Sequence, residues 1–137
     1  MTLALAAVKA LLGEAQLPAS DLTEKHLQTF LWRGKHGHLL GVVGLELYAP
    51  VALLRSLAVT ADSRNQGIGS ALLADGERYA RDHGVKELYL LTTTAEKFFV
   101  KAGYEKIQRD DAPPAIRKTQ EYSVLCPASS ALMRKRL

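Results

Sequence analysis

The sequence predicts an α/β or α+β fold, one mixed sheet with helices packed against it. Three observations lead there. Apolar residues alternate with polar ones, or run nearly unbroken, over residues 38–48, 52–59 and 86–91, as strands require. They recur at helical spacing over 4–15 and 69–83. The 52–59 strand meets the 69–83 helix through a polar loop that carries Gly67 and Gly69.

The elements follow in order. Ala4–Ala15 sets Leu5, Val8, Leu11 and Leu12 at helical spacing, and Gly13 offers a stop. Pro18 breaks the chain, and Ser20 or Asp21 can cap a short second helix over Leu22–Leu27. Thr29–Arg33 reads as a strand and Gly34-Lys35-His36-Gly37 as a hairpin turn. His38–Tyr48 is a longer strand, with Val43, Leu45 and Leu47 on one face and Val42, Gly44, Glu46 and Tyr48 on the other. Ala49-Pro50 turns the chain into a third strand, Ala52–Val59. The next helix runs from Gly69 to about His83 with Leu72, Leu73 and Ala80 inward, and Gly84 ends it. Lys86–Leu91 is apolar enough for a sheet centre covered on both faces. A helix over Ala95–Ala102, stopped by Gly103, precedes a strand over Tyr104–Arg109. Pro113-Pro114 opens a short helix through about Tyr122, and Ala131–Lys135 supplies a closing strand.

Composition narrows the function classes. At 137 residues the chain fits one domain, 1–137, burying roughly two-thirds of its unfolded surface. No apolar run approaches the ~20 residues of a membrane span, so no membrane partner is expected. The apolar start lacks a basic leader and soon meets Lys9 and Glu14, unlike a secretory signal. The single cysteine, Cys126, precludes an internal disulfide or a multi-cysteine metal centre, and makes a cytoplasmic location the expectation. A net charge of +4, with Arg134-Lys135-Arg136 clustered at the tail, suits an anionic ligand but is too small to imply nucleic acid.

The most informative stretch is Leu57-Ala58-Val59-Thr60-Ala61-Asp62-Ser63-Arg64-Asn65-Gln66-Gly67-Ile68-Gly69-Ser70. Glycines let backbone approach a ligand closely, and the first N–H groups of a helix lack intrahelical partners. With the helix dipole and Arg64 they can hold a diphosphate. The plain alternative is a strand–helix connection whose glycines serve tight packing. The loop lacks the Gly-Lys-Ser/Thr ending of a P-loop and the third glycine of a dinucleotide fingerprint.

Arg64-Asn65-Gln66-Gly67-Ile68-Gly69 resembles the Arg/Gln-x-x-Gly-x-Gly/Ala signature of the GNAT acetyltransferases, and Phe98-Phe99-Val100-Lys101-Ala102-Gly103-Tyr104 resembles that family's aromatic helix end. The resemblance covers most of the chain. It implies a mixed, mostly antiparallel sheet splayed at its centre with helices on both faces. The family's first strand should precede the first helix, where only Met1–Leu3 are left for it, so that strand is short or missing. The resemblance also implies acetyl-CoA as co-substrate and no metal. Its pyrophosphate would lie on Arg64, Asn65, Gln66, Gly67, Ile68, Gly69 and Ser70, the pantetheine on backbone of Leu57, Ala58 and Val59, with Phe99 and Lys101 alongside. Leu91-Thr92-Thr93-Thr94-Ala95 is similar to the acetyltransferase domain of N-acetylglutamate synthases. Gly44-Leu45-Glu46-Leu47-Tyr48, Leu54-Arg55-Ser56-Leu57 and Leu125-Cys126-Pro127-Ala128-Ser129 look like GNAT proteins associated with arsenic-resistance operons. Both imply a small amine or amino-acid-like acceptor.

Acetyl transfer from thioester to amine needs an uncharged amine, a polarised carbonyl and a proton for the leaving thiolate. Glu46 is the candidate base or amine-orienting carboxylate; with a tight turn it falls beside or opposite Arg55, and a cross-strand ion pair is the alternative reading. Arg55 could instead receive a substrate carboxylate, which its planar fork suits. Thr92 and Thr93 could offer hydroxyls to substrate, although Thr93 with Glu96 also fits a helix capping box. Many family members place a tyrosine acid at the position matching Phe99, and here there is no hydroxyl. Tyr104 closes the motif and reads as packed into the sheet, which leaves Tyr48 and Tyr122 as candidate acids without positional support. His36 and His38 read as turn residues, Phe30 and Trp32 as core, and Cys126 as structural. The function expected is direct N-acetylation of a small amino-acid-like molecule, in arsenic or toxic-metabolite resistance. The alternatives are a non-catalytic acyl-CoA-binding module and a peptide or protein acetyltransferase. An unpaired edge strand would leave room for a homodimer.

Overall fold

The structure, a computed structural model, describes residues 3–137. Its sheet has six strands: β1 (Phe30–Lys35), β2 (His38–Tyr48), β3 (Val51–Val59), β4 (Glu87–Thr92), β5 (Glu105–Ile107) and β6 (Ala131–Arg136). Their spatial order is β1-β2-β3-β4-β6-β5. Every neighbouring pair is antiparallel except β3 and β4, which run parallel. That parallel step requires a crossover, supplied by helix α2 (Ile68–Asp82). The other helices are α1 (Leu5–Glu14), α3 (Glu96–Lys101) and α4 (Pro114–Arg117). The mixed, mostly antiparallel sheet is the one expected.

The alternation along β2 sorts the two faces. Val43 and Leu45 join Leu54, Leu72, Leu73, Leu88, Phe99 and Met133 in a core under α2 and α3. Val42 turns the other way, with Phe30 and Ala58, against Val8, Leu11 and Leu12 of α1. Further along that second face Leu53, Tyr89 and Leu132 pack on Ile116 of α4. Helices therefore cover both faces, and the polar pair Glu46 and Arg55 stands on the α1/α4 side.

Three local expectations change. Leu22–Leu27 is not an α-helix: the chain turns, then tightens into a 3₁₀ segment at His26–Thr29. His26 Nδ1 is 3.1 Å from both the Thr23 N–H and its hydroxyl, a local bond that competes with helical backbone bonding. The helix from Pro114 stops at Arg117, and a π-helical turn, Glu121–Leu125, follows it. The strand expected over Tyr104–Arg109 shortens to Glu105–Ile107, since the Tyr104 N–H bonds back to the Phe99 carbonyl at the end of α3 (3.0 Å) and Arg109 opens a 3₁₀ turn. Of the first strand considered at Met1–Leu3, Met1 and Thr2 lie outside the described residues, and Leu3 is not in a strand.

Candidate active site

β3 and β4 pair only at Val51–Glu87, Ala52–Leu88 and Leu53–Tyr89, and then diverge. From Leu54 onward the β4-facing edge of β3 has no strand partner, and a cleft of about 1900 Å³ opens beside it. β3 also carries a bulge: Ser56 and Leu57 together stand opposite Val43, between the pairs Val42–Ala58 and Gly44–Arg55. Ser56 takes up the irregularity in a left-handed conformation, φ 60°. Leu57, Ala58 and Val59 line the cleft.

One end of the cleft meets the start of α2. Gly67, at φ 80°, is the N-cap of α2, and no side chain caps the helix there. The first intrahelical bond shown at this end is Ala71 N–H to the Gly67 carbonyl, 3.0 Å, so the amides before it are free of helical partners. Asn65 also lies in the left-handed region, φ 65°. Arg64, Asn65 and Gly69 line the cleft; Gln66, Gly67, Ile68 and Ser70 belong to the loop and helix start without lining it. A Cβ on Gly69 would be 3.7 Å from Val59 and 3.9 Å from Phe98, ordinary contacts. Packing within the chain therefore does not demand glycine at 69. Close approach by a ligand would.

Phe99 is buried, edge-on to Phe98 (5.1 Å) and Tyr104 (5.6 Å), and still contributes to the cleft wall together with Lys101. Thr92 and Thr93 line the cleft, and neither caps α3, whose N-cap is Ala95 without a side-chain bond. Thr92 Oγ1 accepts the Ala95 N–H at 3.0 Å, while Thr93 and Glu96 form no capping box. β4 runs one residue past the expected Leu91, and this moves the turn onto Thr92.

The other end holds a buried ion cluster. Arg55, whose side chain is 0% exposed, donates from Nη1 to Asp21 (2.5 Å) and Glu46 (2.8 Å), and from Nη2 to Asp21 (2.7 Å). Its Nε bonds Ser56 Oγ at 3.1 Å, and Glu121 lies 3.4 Å from Nη2. The cross-strand pairing of Glu46 with Arg55 is diagonal, since Glu46 opposes Leu53 and Arg55 opposes Gly44. Glu46 spends its second oxygen on the Tyr48 hydroxyl, 2.7 Å, and does not line the cleft. Arg55 does line it, but with its donors already engaged by the chain's own acids. Burial raises the Asp21 carboxyl, yet the Arg55 hydrogen bonds and charge outweigh it and hold Asp21 below its ordinary range. Asp21, His26 and Glu46 bring ligand atoms within 4.8 Å of one another, but a cation there would compete with the Arg55 guanidinium for both carboxylates.

Glu121 is the residue that sequence reasoning missed. It lines the cleft, and its side chain is only 5% exposed. Burial, and then the Asp21 and Glu46 charges, push its carboxyl up to about 7 against the opposing pull of Arg55. Nothing in its neighbourhood along the chain marks it. A glutamate on a short helix reads as a surface residue until the fold shows otherwise. Cys126 Sγ lies 3.8 Å from Glu121, and burial followed by that acid pushes the thiol up to about 12, so it is no nucleophile. Among the described residues no tyrosine lines the cleft. Tyr104 bonds Glu77, Tyr122 bonds the Arg109 carbonyl, and Tyr48 bonds Glu46.

A splayed sheet, an uncapped helix N-terminus at one end of the cleft and buried acids at the other define a class, and the comparisons agree. Residues 8–104 match the acetyltransferase (GNAT) family, and the chain belongs to it. It is similar to an uncharacterized N-acetyltransferase of Chlorobaculum tepidum, 32% identical over 93 residues, which are 67% of this chain and 59% of that protein. It is also 32% identical over 116 residues to the amino-acid acetyltransferase of Ralstonia nicotianae, 83% of this chain and 25% of that one. Among solved structures, N-acetylglutamate synthase of Neisseria gonorrhoeae, complexed with coenzyme A and L-arginine, matches with a TM-score of 0.82 at 26% identity. That match covers 97% of this chain and 31% of the synthase. The matches thus span 59% and 25% of the lengths of those two sequence relatives.

Proposed function

We propose that this chain is an acetyl-CoA-dependent N-acetyltransferase that moves acetyl directly onto the amino group of a small amino-acid-like molecule. The observation that carries the reading is the single cleft joining the uncapped start of α2 to the Arg55 cluster along the unpaired edge of β3. Anionic phosphates suit the first; an amine suits the second, where three carboxylates surround one guanidinium. The names of the relatives, an amino-acid acetyltransferase and an N-acetylglutamate synthase solved with coenzyme A, support the same donor and acceptor class.

In this reading Arg64 and the α2 amides hold the diphosphate, with Gly69 leaving room for it. Backbone N–H groups of Leu57–Val59 grip pantetheine and polarise the thioester carbonyl. Glu46 acts through Arg55, fixing the guanidinium as an orienting charge, and Thr92 and Thr93 border the acceptor's path. A substrate carboxylate could reach Arg55 only by displacing Asp21 or Glu121. Transfer is direct, since the protonated Cys126 offers no acyl carrier. The finer expectations, a cytoplasmic enzyme of arsenic or toxic-metabolite resistance, rest on the sequence resemblance; no described helix is long and apolar enough to cross a membrane.

The absence of a tyrosine hydroxyl from the cleft among the described residues favours a second reading, a CoA-binding module without turnover. One assay separates the two. Thiol release from acetyl-CoA is followed with a panel of amino acids and with phosphono and arsono analogues of glutamate. Turnover on any of them is the expected outcome. Binding of acetyl-CoA without turnover on any would select the module, and failure to bind it would end the family-based reading.

A further inference from the structure

We propose that Glu121 is the catalytic base that takes the proton from the acceptor amine, working from the turn between α4 and β6. The proposal rests on the acetyltransferase reading above and adds to it the residue that makes the amine nucleophilic.

Three acids face Arg55, and one guanidinium cannot neutralise all of them. Asp21 uses both oxygens on it and Glu46 divides its oxygens between Arg55 and Tyr48. Glu121 is the surplus member. Its Arg55 contact is the longest of the three, 3.4 Å, and its other oxygen meets only the weak donor Cys126 Sγ at 3.8 Å. It alone of the carboxylates in the cluster opens onto the cleft.

A purely structural counter-charge would be expected to bond more closely and to face away from the cavity. A second observation comes from the lining of the same cleft. Ser130, 3% exposed, lines the cleft and its Oγ has no hydrogen-bond partner. Buried hydroxyls are ordinarily satisfied, so this one is left for an occupant.

The groups around Glu121 set its proton affinity from each side: Arg55 from β3, Asp21 from the turn after α1, Glu46 from β2 and Cys126 from its own segment. Arg109 holds that segment in place, stacking on Tyr122 at 4.5 Å and donating to the Tyr122 carbonyl. With its carboxyl near 7, Glu121 is half ionised at neutral pH, where a base works best.

The step balances as follows. The substrate arrives as an ammonium ion and gives one proton to Glu121. The freed lone pair attacks the acetyl carbonyl carbon, the C–N bond forms and the C–S bond breaks. The second nitrogen proton leaves with the sulfur, giving amide and CoA thiol, and Glu121 returns its proton to solvent.

The test uses the full chain, acetyl-CoA and the panel amine that supports wild-type turnover. Glu121→Gln is expected to lower kcat/KM by about 10²–10⁴-fold. It should also remove the rise in kcat/KM through pH 7 and leave the acetyl-CoA Kd within about twofold. Glu121→Asp, which retracts the acid by one methylene, should keep the pH rise with a lower kcat and little change in KM. It also serves if the glutamine variant fails to fold. A wild-type rate and profile in either folded variant overturns the proposal. Carbon-13 titration of the Glu121 carboxyl needs no turnover; a midpoint in the ordinary range below 5 overturns the proposal as well. Absence of turnover in the wild-type chain with acetyl-CoA bound overturns the enzyme reading, and the base assignment with it.

Discussion

Arg55 is surrounded so completely by its own chain that its partners, not Arg55 itself, decide what the cluster can do. The two carboxylates at its ends respond to pH in opposite directions. Asp21 titrates below its unfolded value of 3.8, so its contribution is present above that pH and lost as pH falls through the lower folded value. Glu121 titrates at about 7 against 4.5 unfolded, so the stability it lends is complete below 4.5 and lost as pH rises through 7. Between pH 5 and 7.5 the urea midpoint should therefore decline in the wild type, and the decline should flatten in Glu121→Gln. Equal slopes in the two proteins would contradict the assignment. Sequence made Arg55 and Glu46 visible because they interrupt an apolar strand pattern at fixed register. Glu121 was invisible because its neighbour in space is 66 positions away in the chain.

The elements that position the site were legible wherever periodicity alone decides. β2, β3, β4 and α2 fall within a residue or two of expectation, and the Gly67–Gly69 helix start is where the loop placed it. Segments shaped by tertiary demands were not legible. Residues 22–27 have helical spacing, yet this stretch follows the turn that delivers Asp21 to Arg55. Its end is tied down by Thr29, whose Oγ1 donates to the Leu45 carbonyl at 2.5 Å. Two glycines of the predicted elements divide along the same line. A Cβ on Gly44 would stand 2.3 Å from the Phe30 ring, whereas one on Gly69 meets only ordinary contacts. Gly44→Ala should destabilise the chain by about 1–3 kcal/mol in urea unfolding, through overpacking between β1 and β2. Gly69→Ala should leave that stability intact or slightly raised while weakening acetyl-CoA binding in calorimetric titration. The reverse pattern would show glycine 69 to be structural.

At the scale of the whole molecule, the decisive feature is that β3 and β4 share three residue pairs and then part. Helices pack on both faces of the sheet, α2 and α3 on one and α1 and α4 on the other, and the cleft beside β3 gathers residues from Ala15 to Ser130. A ligand filling that cleft ties both halves together. Acetyl-CoA at 100 times its Kd should stabilise the chain by about 2.7 kcal/mol, read as a rise of several degrees in Tm. The rise should shrink when Arg64 is replaced by alanine, and an unchanged Tm with acetyl-CoA would contradict the site. By itself the sequence determined the fold class, the order of strands and helices, the Gly67–Gly69 helix start and the Glu46–Arg55 pair. Each depends on residues close along the chain or held at one hairpin's register, where spacing carries the information. The tertiary structure alone decided that Arg55 is already engaged, that Glu46 is turned away from the cleft and that Glu121 faces it. Those outcomes depend on where a loop after α1 and a turn before β6 pack on the sheet, and no periodicity encodes that placement.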